Sequence, residues 1–282
     1  MNILFLCTGN TCRSPMAEAL MKRKCESLNL PVSVFSCGLA AYPGDSVSEN
    51  SVEAMREIGI DISSHRARAL TSYLIDETDL FVVMTQSHAT ALESVVAKEK
   101  ICVLGGGIAD PYGQDLDAYR HCRNEINTAL DDMLKIKIEP MNETDVAFVA
   151  QTEKECFSEP WSEDAVRSEL SNDSARFFTA KILGFFAGYI GMHIVLDECY
   201  IANIAVKSEF RRKGIADRLL SYAQDIAKSE DCAFISLEVR VSNLSAIELY
   251  KKHGYITQGE RKNFYRNPEE NAFIMTKTFS EE

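Results

Sequence analysis

At 282 residues the chain is long enough for two domains with separate cores, and its formal charge of −12 argues against coating nucleic acid, which takes a basic face. No apolar run approaches the roughly 18 residues needed to span a bilayer, and the opening MNILFLC lacks the basic start and small-residue cleavage site of a leader. The nine cysteines are scattered without CxxC pairs, which reads as reduced thiols in a cytoplasmic protein rather than a disulfide framework or a metal site.

Taken in chain order, the first half alternates short apolar runs with helical patterns. NILFL precedes a helix from Ser14 to Leu28, VSVFS one from Val47 to Ile58, DLFVVM one from Ser87 to Val96, and KICVL one from Leu116 to Leu134. Four such repeats predict an α/β domain with a four-stranded parallel sheet wrapped by helices. Ligands of such sheets bind at the carboxyl ends of the strands. At IKIEPM the period changes to two and Pro140 forbids a continuing helix, so the expected domains are 1–135 and 136–282. The second opens with the helix-like DVAFVAQTEKECF, the turn SEPWS and another helix, followed by the strands FFTAKIL, FAGYIGMHIVL and CYIANIAV. A helix from Gly214 to Ser229, the strand FISLEVRV, a helix from Asn243 to His253 and two strand-like runs complete an α+β domain with a mixed sheet.

The stretch CTGNTCRSP follows the first predicted strand and leads into a helix. Backbone N–H groups of Thr8, Gly9, Asn10, Thr11, Cys12, Arg13 and Ser14 are expected to form an anion cradle at that helix start, with phosphate as the natural guest. Gly9 and Asn10 tolerate left-handed backbone, so the loop can curl round the anion. Arg13 offers a planar fork to phosphoryl oxygens, and the positive field favours a thiolate at Cys7, which makes Cys7 a nucleophile. GGGIADPYG adds an acid, Asp110, in a glycine-rich loop at the same edge of the sheet.

CTGNTCRSPMAEAL, SCGL, DISSHRAR, DLFVVMT and DPYG together resemble the low-molecular-weight protein-tyrosine phosphatase family over residues 1–135. The resemblance implies a phosphocysteine intermediate on Cys7, phosphate held by Arg13, a thiolate supported by Ser14, and Asp110 as acid for the leaving group and then base for water. His65, Arg66 and Arg68 also match and are expected to be structural. Thr11 stands where tyrosine-directed members usually carry an aliphatic residue and where the protein-arginine phosphatase branch carries threonine. The expected substrate is therefore phosphoarginine on proteins, with phosphotyrosine as the alternative. Arsenate reductases share the fold but need further cysteines after the third strand, and DLFVVMTQSHATALESVV has none. Cys12 lies five residues after Cys7, a spacing that admits a reversible disulfide under peroxide.

In the second half, RRKGIA places a basic turn of small residues at a helix start, a second candidate phosphate site. With CFSEPWS, LDECYIANIAV, LEVRVSN, AIELYKKHGY and RKNFY it resembles the GNAT acetyltransferases, and among them the ribosomal-protein alanine N-acetyltransferases. By that resemblance acetyl-CoA is the cosubstrate and no metal is needed. The backbone of Ile204, Ala205 and Val206 holds the acetyl-pantetheine arm. That of Arg212, Lys213, Gly214, Ile215, Ala216 and Asp217 holds the pyrophosphate, and Asn243 contacts the CoA chain. Glu238 then deprotonates the amine and Tyr250 protonates the leaving thiolate. An α-amine, with a pKa near ~8, asks less of a carboxylate than a lysine near ~10.4. The expected protein is a bifunctional enzyme acting on phosphorylated proteins and on the N-terminal alanine of a small-subunit ribosomal protein. The alternatives are an acetyltransferase of other amine specificity and an acetyl-CoA-binding module that regulates the phosphatase.

Overall fold

The computed structural model describes residues 1–279. The chain divides into two compact units, Met1–Lys135 and Ile136–Glu282.

In the first unit, β1 (Asn2–Cys7), β2 (Ser33–Gly38), β3 (Leu80–Val83) and β4 (Ile101–Val103) form a sheet in the order β2-β1-β3-β4, every pair parallel. Side chains alternate across a strand. Leu4 and Leu6 on β1 and Phe81 and Val83 on β3 pack with Ala89, Leu92 and Val96 in one cluster. Ile3 and Phe5 point the other way and are fully buried, as are Met16 and Leu20 of α1 (Arg13–Ser27) and Ile126 and Leu130 of α5 (Leu116–Met133). Between them lie α2 (Glu49–Arg56), α3 (Ser72–Glu77) and α4 (Gln86–Leu92). The predicted helices after β2 and β3 are shorter than their apolar patterns. α3 was not expected at all: SYLIDE buries no residue and is held at its start by Thr71, whose hydroxyl accepts from the Leu74 amide at 3.3 Å.

In the second unit a seven-stranded mixed sheet runs β10-β11-β9-β8-β7-β6-β5. Its strands are β5 (Lys137–Pro140), β6 (Ala175–Ile182), β7 (Phe185–Val195), β8 (Glu198–Val206), β9 (Phe234–Arg240), β10 (Ile256–Arg266) and β11 (Glu269–Thr278). Its helices are α6 (Val146–Cys156), α7 (Glu163–Ser168), α8 (Ile215–Ser229) and α9 (Leu244–Lys252). β8 and β9 are the parallel neighbours, and they pair only from Glu198 to Tyr200 against Phe234 to Ser236. Beyond that, β8 stays on β7 and β9 stays on β11, so the sheet splits between Ile201–Val206 and Leu237–Arg240.

Candidate active sites

The loop of residues 8–12 joins β1 to α1, and the carbonyls of Cys7, Thr8 and Thr11 are tied to segments outside it. Cys7 O accepts from Leu39 N at 3.0 Å, Thr8 O from Ala40 N at 2.9 Å and Thr11 O from Ser48 N at 3.0 Å. With the carbonyls engaged outside, the N–H groups are left for the inside of the curve, which is the arrangement an anion requires. Ser48, Thr85 and Asp115 cap α2, α4 and α5 with their side chains, whereas Cys12 supplies no such bond to α1. The N-terminal donors of α1 thus remain for a ligand.

Asn10 is the one loop residue in left-handed backbone, at φ 55°; Gly9, expected to share that role, does not take it. The Asn10 side chain explains the choice. Its Nδ2 donates to Ser14 Oγ and to Ser36 Oγ, each at 2.9 Å, while its Oδ1 accepts from Arg68 N at 2.9 Å and lies 3.2 Å from His65 Nε2. Ser36 in turn donates to the buried Glu18 at 2.6 Å, and Lys22 Nζ reaches the other Glu18 oxygen at 2.5 Å. His65 and Arg68 thus brace the loop from behind. Arg66 is spent on the carbonyls of Ser63 and His65.

Inside the cradle, Cys7 Sγ lies 3.0 Å from Ser14 Oγ and accepts from Asn10 N at 3.3 Å. Arg13 is buried; its Nη1 donates to Ile108 O at 3.1 Å and its Nη2 is paired with the Asp110 carboxylate. Its buried Nε has no partner, a donor that a phosphoryl oxygen would satisfy. Asp110 is half exposed, and its other oxygen accepts from Tyr112 N at 3.2 Å. The Cys12 thiol lies 3.4 Å from Tyr119 Oη and 3.6 Å from Ser48 Oγ. Burial, with the Cys12 contact, pushes the Tyr119 phenol up to about 12. Thr11 Oγ1 lies 3.7 Å from that same sulfur. Cys7, Cys12, Cys25, Cys37, Cys122, Cys156, Cys199 and Cys232 are free thiols. Among the described residues no group of three or more His, Cys, Asp or Glu side chains is placed to hold a metal ion.

In the second unit the split between β8 and β9 leaves Ile204, Ala205 and Val206 paired on one side only. Gly188 lets this edge approach β7: a Cβ there would stand 2.5 Å from Ala205 O. At the start of α8 both Arg212 (φ 64°) and Gly214 (φ 75°) adopt left-handed backbone, and no side chain caps the helix, so Lys213, Ile215 and Ala216 lie on a turn with free N-terminal donors. The Asp217 carboxylate is held by Lys252 and by His253 Nε2, the latter at 3.0 Å. These residues fit a pyrophosphate. Asn243 is the N-cap of α9, and its Oδ1 accepts from Ala246 N at 3.3 Å.

Glu238 on β9 is partly exposed, and its Oε1 accepts from Arg261 Nη1 at 3.0 Å. Tyr250 on α9 is buried against Tyr255, ring centroids 5.8 Å apart, and burial raises its phenol well above the ordinary value. It therefore stays protonated at neutral pH, the form a proton donor needs. Tyr265 ends the RKNFY motif; its hydroxyl donates to Glu238 O at 3.3 Å and the Arg240 guanidinium stacks 4.2 Å over its ring. Glu153 had no expected role. It is fully buried, accepts from Tyr189 Oη, Asn203 Nδ2 and Trp161 N, and burial raises its pKa. No local sequence signal marks it, because its three partners come from β7, β8 and the SEPWS turn.

Comparison with known proteins assigns the two halves to two families, with the break at residues 143–146, a little beyond the Lys135–Ile136 division of the fold. Residues 2–143 match the low molecular weight phosphotyrosine protein phosphatase family, and residues 146–255 match the acetyltransferase (GNAT) family. A Bacillus subtilis protein named as a ribosomal protein bS18-alanine N-acetyltransferase is 38% identical over 148 residues, covering 52% of this chain and 98% of that protein. A protein-arginine-phosphatase of the same organism is 37% identical over 144 residues, covering 48% of this chain and 95% of that protein. The low molecular weight protein-tyrosine-phosphatase Ptp of Acinetobacter johnsonii is 36% identical over 140 residues, covering 48% of this chain and 96% of that protein. The chain therefore belongs to the low molecular weight phosphotyrosine protein phosphatase family through its first half and to the GNAT acetyltransferase family through its second, two enzymes on one polypeptide.

Proposed function

We propose that residues 1–135 remove phosphate from phosphoarginine on proteins and that residues 136–282 acetylate the N-terminal alanine of a small-subunit ribosomal protein. The observation that carries the first reading is the loop itself: carbonyls tied outward, the Cys7 sulfur on its floor, and an unpartnered Arg13 Nε buried beside it. In the reaction the Cys7 sulfur attacks phosphorus and the P–N bond of phosphoarginine breaks. Asp110 gives its proton to the departing nitrogen. Arg13 turns its fork from Asp110 to the phosphoryl oxygens, and Ser14 hydrogen-bonds the sulfur as it leaves and returns. Asp110 then takes a proton from water, whose oxygen attacks phosphorus and breaks the P–S bond. Phosphoarginine is favoured by Thr11, a polar wall for a planar guanidinium.

In the second half acetyl-CoA supplies an acetyl thioester. The edge of Ile204 to Val206 and the turn Arg212 to Asp217 hold it, Glu238 removes a proton from the α-amine as its nitrogen bonds the acetyl carbon, and Tyr250 Oη gives a proton to the thiolate released when the C–S bond breaks. The free thiols of Cys7, Cys12, Cys122 and Cys199 suit a reducing, cytoplasmic setting. No helix among the described residues is long and apolar enough to cross a membrane.

The test offers phosphoarginine and phosphotyrosine peptides, and an alanine-starting peptide with acetyl-CoA, to the purified chain. The expected result is a higher kcat/KM for phosphoarginine, a ratio that Thr11→Ile moves towards phosphotyrosine, and acetate found by mass spectrometry on the α-amine. A preference for phosphotyrosine in the wild type overturns the substrate assignment, and acetate only on lysine side chains overturns the acceptor.

A further inference from the structure

The outward ties of the loop all come from one side. Leu39, Ala40 and Ser48 follow β2 in the chain. On the opposite side stands β3, which neighbours β1 in the sheet, so the first turn of α4 arrives beside the first residue of the loop. There His88 Nε2 lies 3.0 Å from Thr8 Oγ1, and His88 Nδ1 lies 2.8 Å from Thr85 Oγ1. Thr85 is the N-cap of α4, and its hydroxyl also accepts from His88 N at 3.4 Å. One ring nitrogen is thus pinned to the start of the helix and the other to the residue after the nucleophile.

We propose that His88 is a positioning residue of the phosphatase, gripping Thr8 from the β3 side so that the first N–H of the cradle stays aimed at the phosphoryl group. The ring is only 8% exposed. Burial first, and then the Arg13 guanidinium, lower its pKa, so it is neutral at pH 7. A neutral imidazole donates from one nitrogen and accepts at the other, and a hydroxyl at each end completes the chain in either direction. Breaking the bond leaves a buried ring nitrogen unpaired and frees Thr8 to rotate its N–H off target.

This inference rests on the phosphatase reading. The experiment measures kcat, KM and the inhibition constant of inorganic phosphate for the full chain and for His88→Leu, His88→Gln, Thr8→Val and the Leu–Val double variant. His88→Leu is expected to lower kcat/KM about tenfold and to weaken phosphate inhibition similarly, the upper end for one neutral hydrogen bond. His88→Gln, whose amide reaches towards the Nε2 position, is expected to recover to within about threefold of wild type. Thr8→Val should lose as much as His88→Leu, and the double variant should be no worse than either, because both remove one bond. Wild-type kinetics in His88→Leu or in Thr8→Val, or losses that multiply in the double variant, overturn the assignment. The Thr8→Val arm decides the matter even where His88→Leu fails to fold. A wild-type chain that hydrolyses neither phosphopeptide contradicts the phosphatase reading itself; an active wild type with insensitive variants contradicts only the role of His88.

Discussion

Arg13 has two partners to serve, a carboxylate and a phosphoryl group. Its Nη2 is paired with Asp110 while its Nε stays unpartnered beneath the loop. In the proposed reaction that pair opens, which frees the fork for phosphate and frees Asp110 to reach the leaving group. Asp110→Asn keeps the shape and removes the proton, so turnover on phosphopeptides should fall by ~10²–10⁴-fold with KM little changed. Steady-state kinetics on a phosphoarginine peptide check this, and unchanged kcat removes Asp110 from the chemistry. At this scale the sequence was informative where the site is contiguous. Cys7, Arg13 and Ser14 stand within eight residues, and their spacing carries the chemistry by itself. The residues that support them were not legible. Ser36 reaches Asn10 and His88 reaches Thr8 from another strand and helix, Glu18 backs Ser36, and a single chain gives no signal for contacts across 18 to 80 positions.

At the scale of elements, two glycines show how closely backbone must approach backbone for each site to form. A Cβ on Gly38 would stand 2.5 Å from Thr8 O and 2.9 Å from Asn10 N, so Gly38→Ala must push the loop off β2. The expected outcome is a phosphatase loss of more than about tenfold with acetyl transfer unaltered. Gly188→Ala should do the reverse, weakening acetyl-CoA binding through Ala205 while phosphopeptide hydrolysis persists. Both activities measured on each variant test the pair, and a variant that impairs the other half contradicts this account.

The elements behind the loop also set a pH dependence. His65 and His88 both titrate below the ordinary 6.5. For each, burial is the main cause, with Arg68 and Lys22 adding to it at His65 against Glu18, and Arg13 adding to it at His88 against Asp110. A base whose folded value is depressed contributes stability that is complete above 6.5 and lost as pH falls through the folded value, because the unfolded chain binds the proton first. Protection of the β1 amides against hydrogen exchange, corrected for intrinsic rate, should therefore fall from pH 7 towards 5, and fall less steeply in His88→Gln. An equal slope in the variant would show that His88 is not the titrating group. Element types were largely legible from apolar periodicity. The short α3 was not, since it buries nothing and so has no stripe to read. Nor was the split between β8 and β9: each strand is apolar along its length, and only the pairing register shows where they part.

At the scale of the whole molecule, one polypeptide carries two enzyme domains built on separate sheets. Cys7, the proposed nucleophile, stands at the end of β1 in a four-stranded parallel sheet, and Tyr250, the proposed proton donor, stands on α9 in the unit built on the seven-stranded sheet. Residues in different cores that share no partner act independently. The most direct measurement assays phosphopeptide hydrolysis and N-terminal acetylation side by side on wild type, Cys7→Ser and Tyr250→Phe. The expected result is that Cys7→Ser abolishes hydrolysis and leaves acetylation at the wild-type rate, and that Tyr250→Phe lowers the kcat of acetylation with acetyl-CoA binding and hydrolysis intact. Hydrolysis that survives Cys7→Ser, or parallel losses of both activities in either variant, would contradict it.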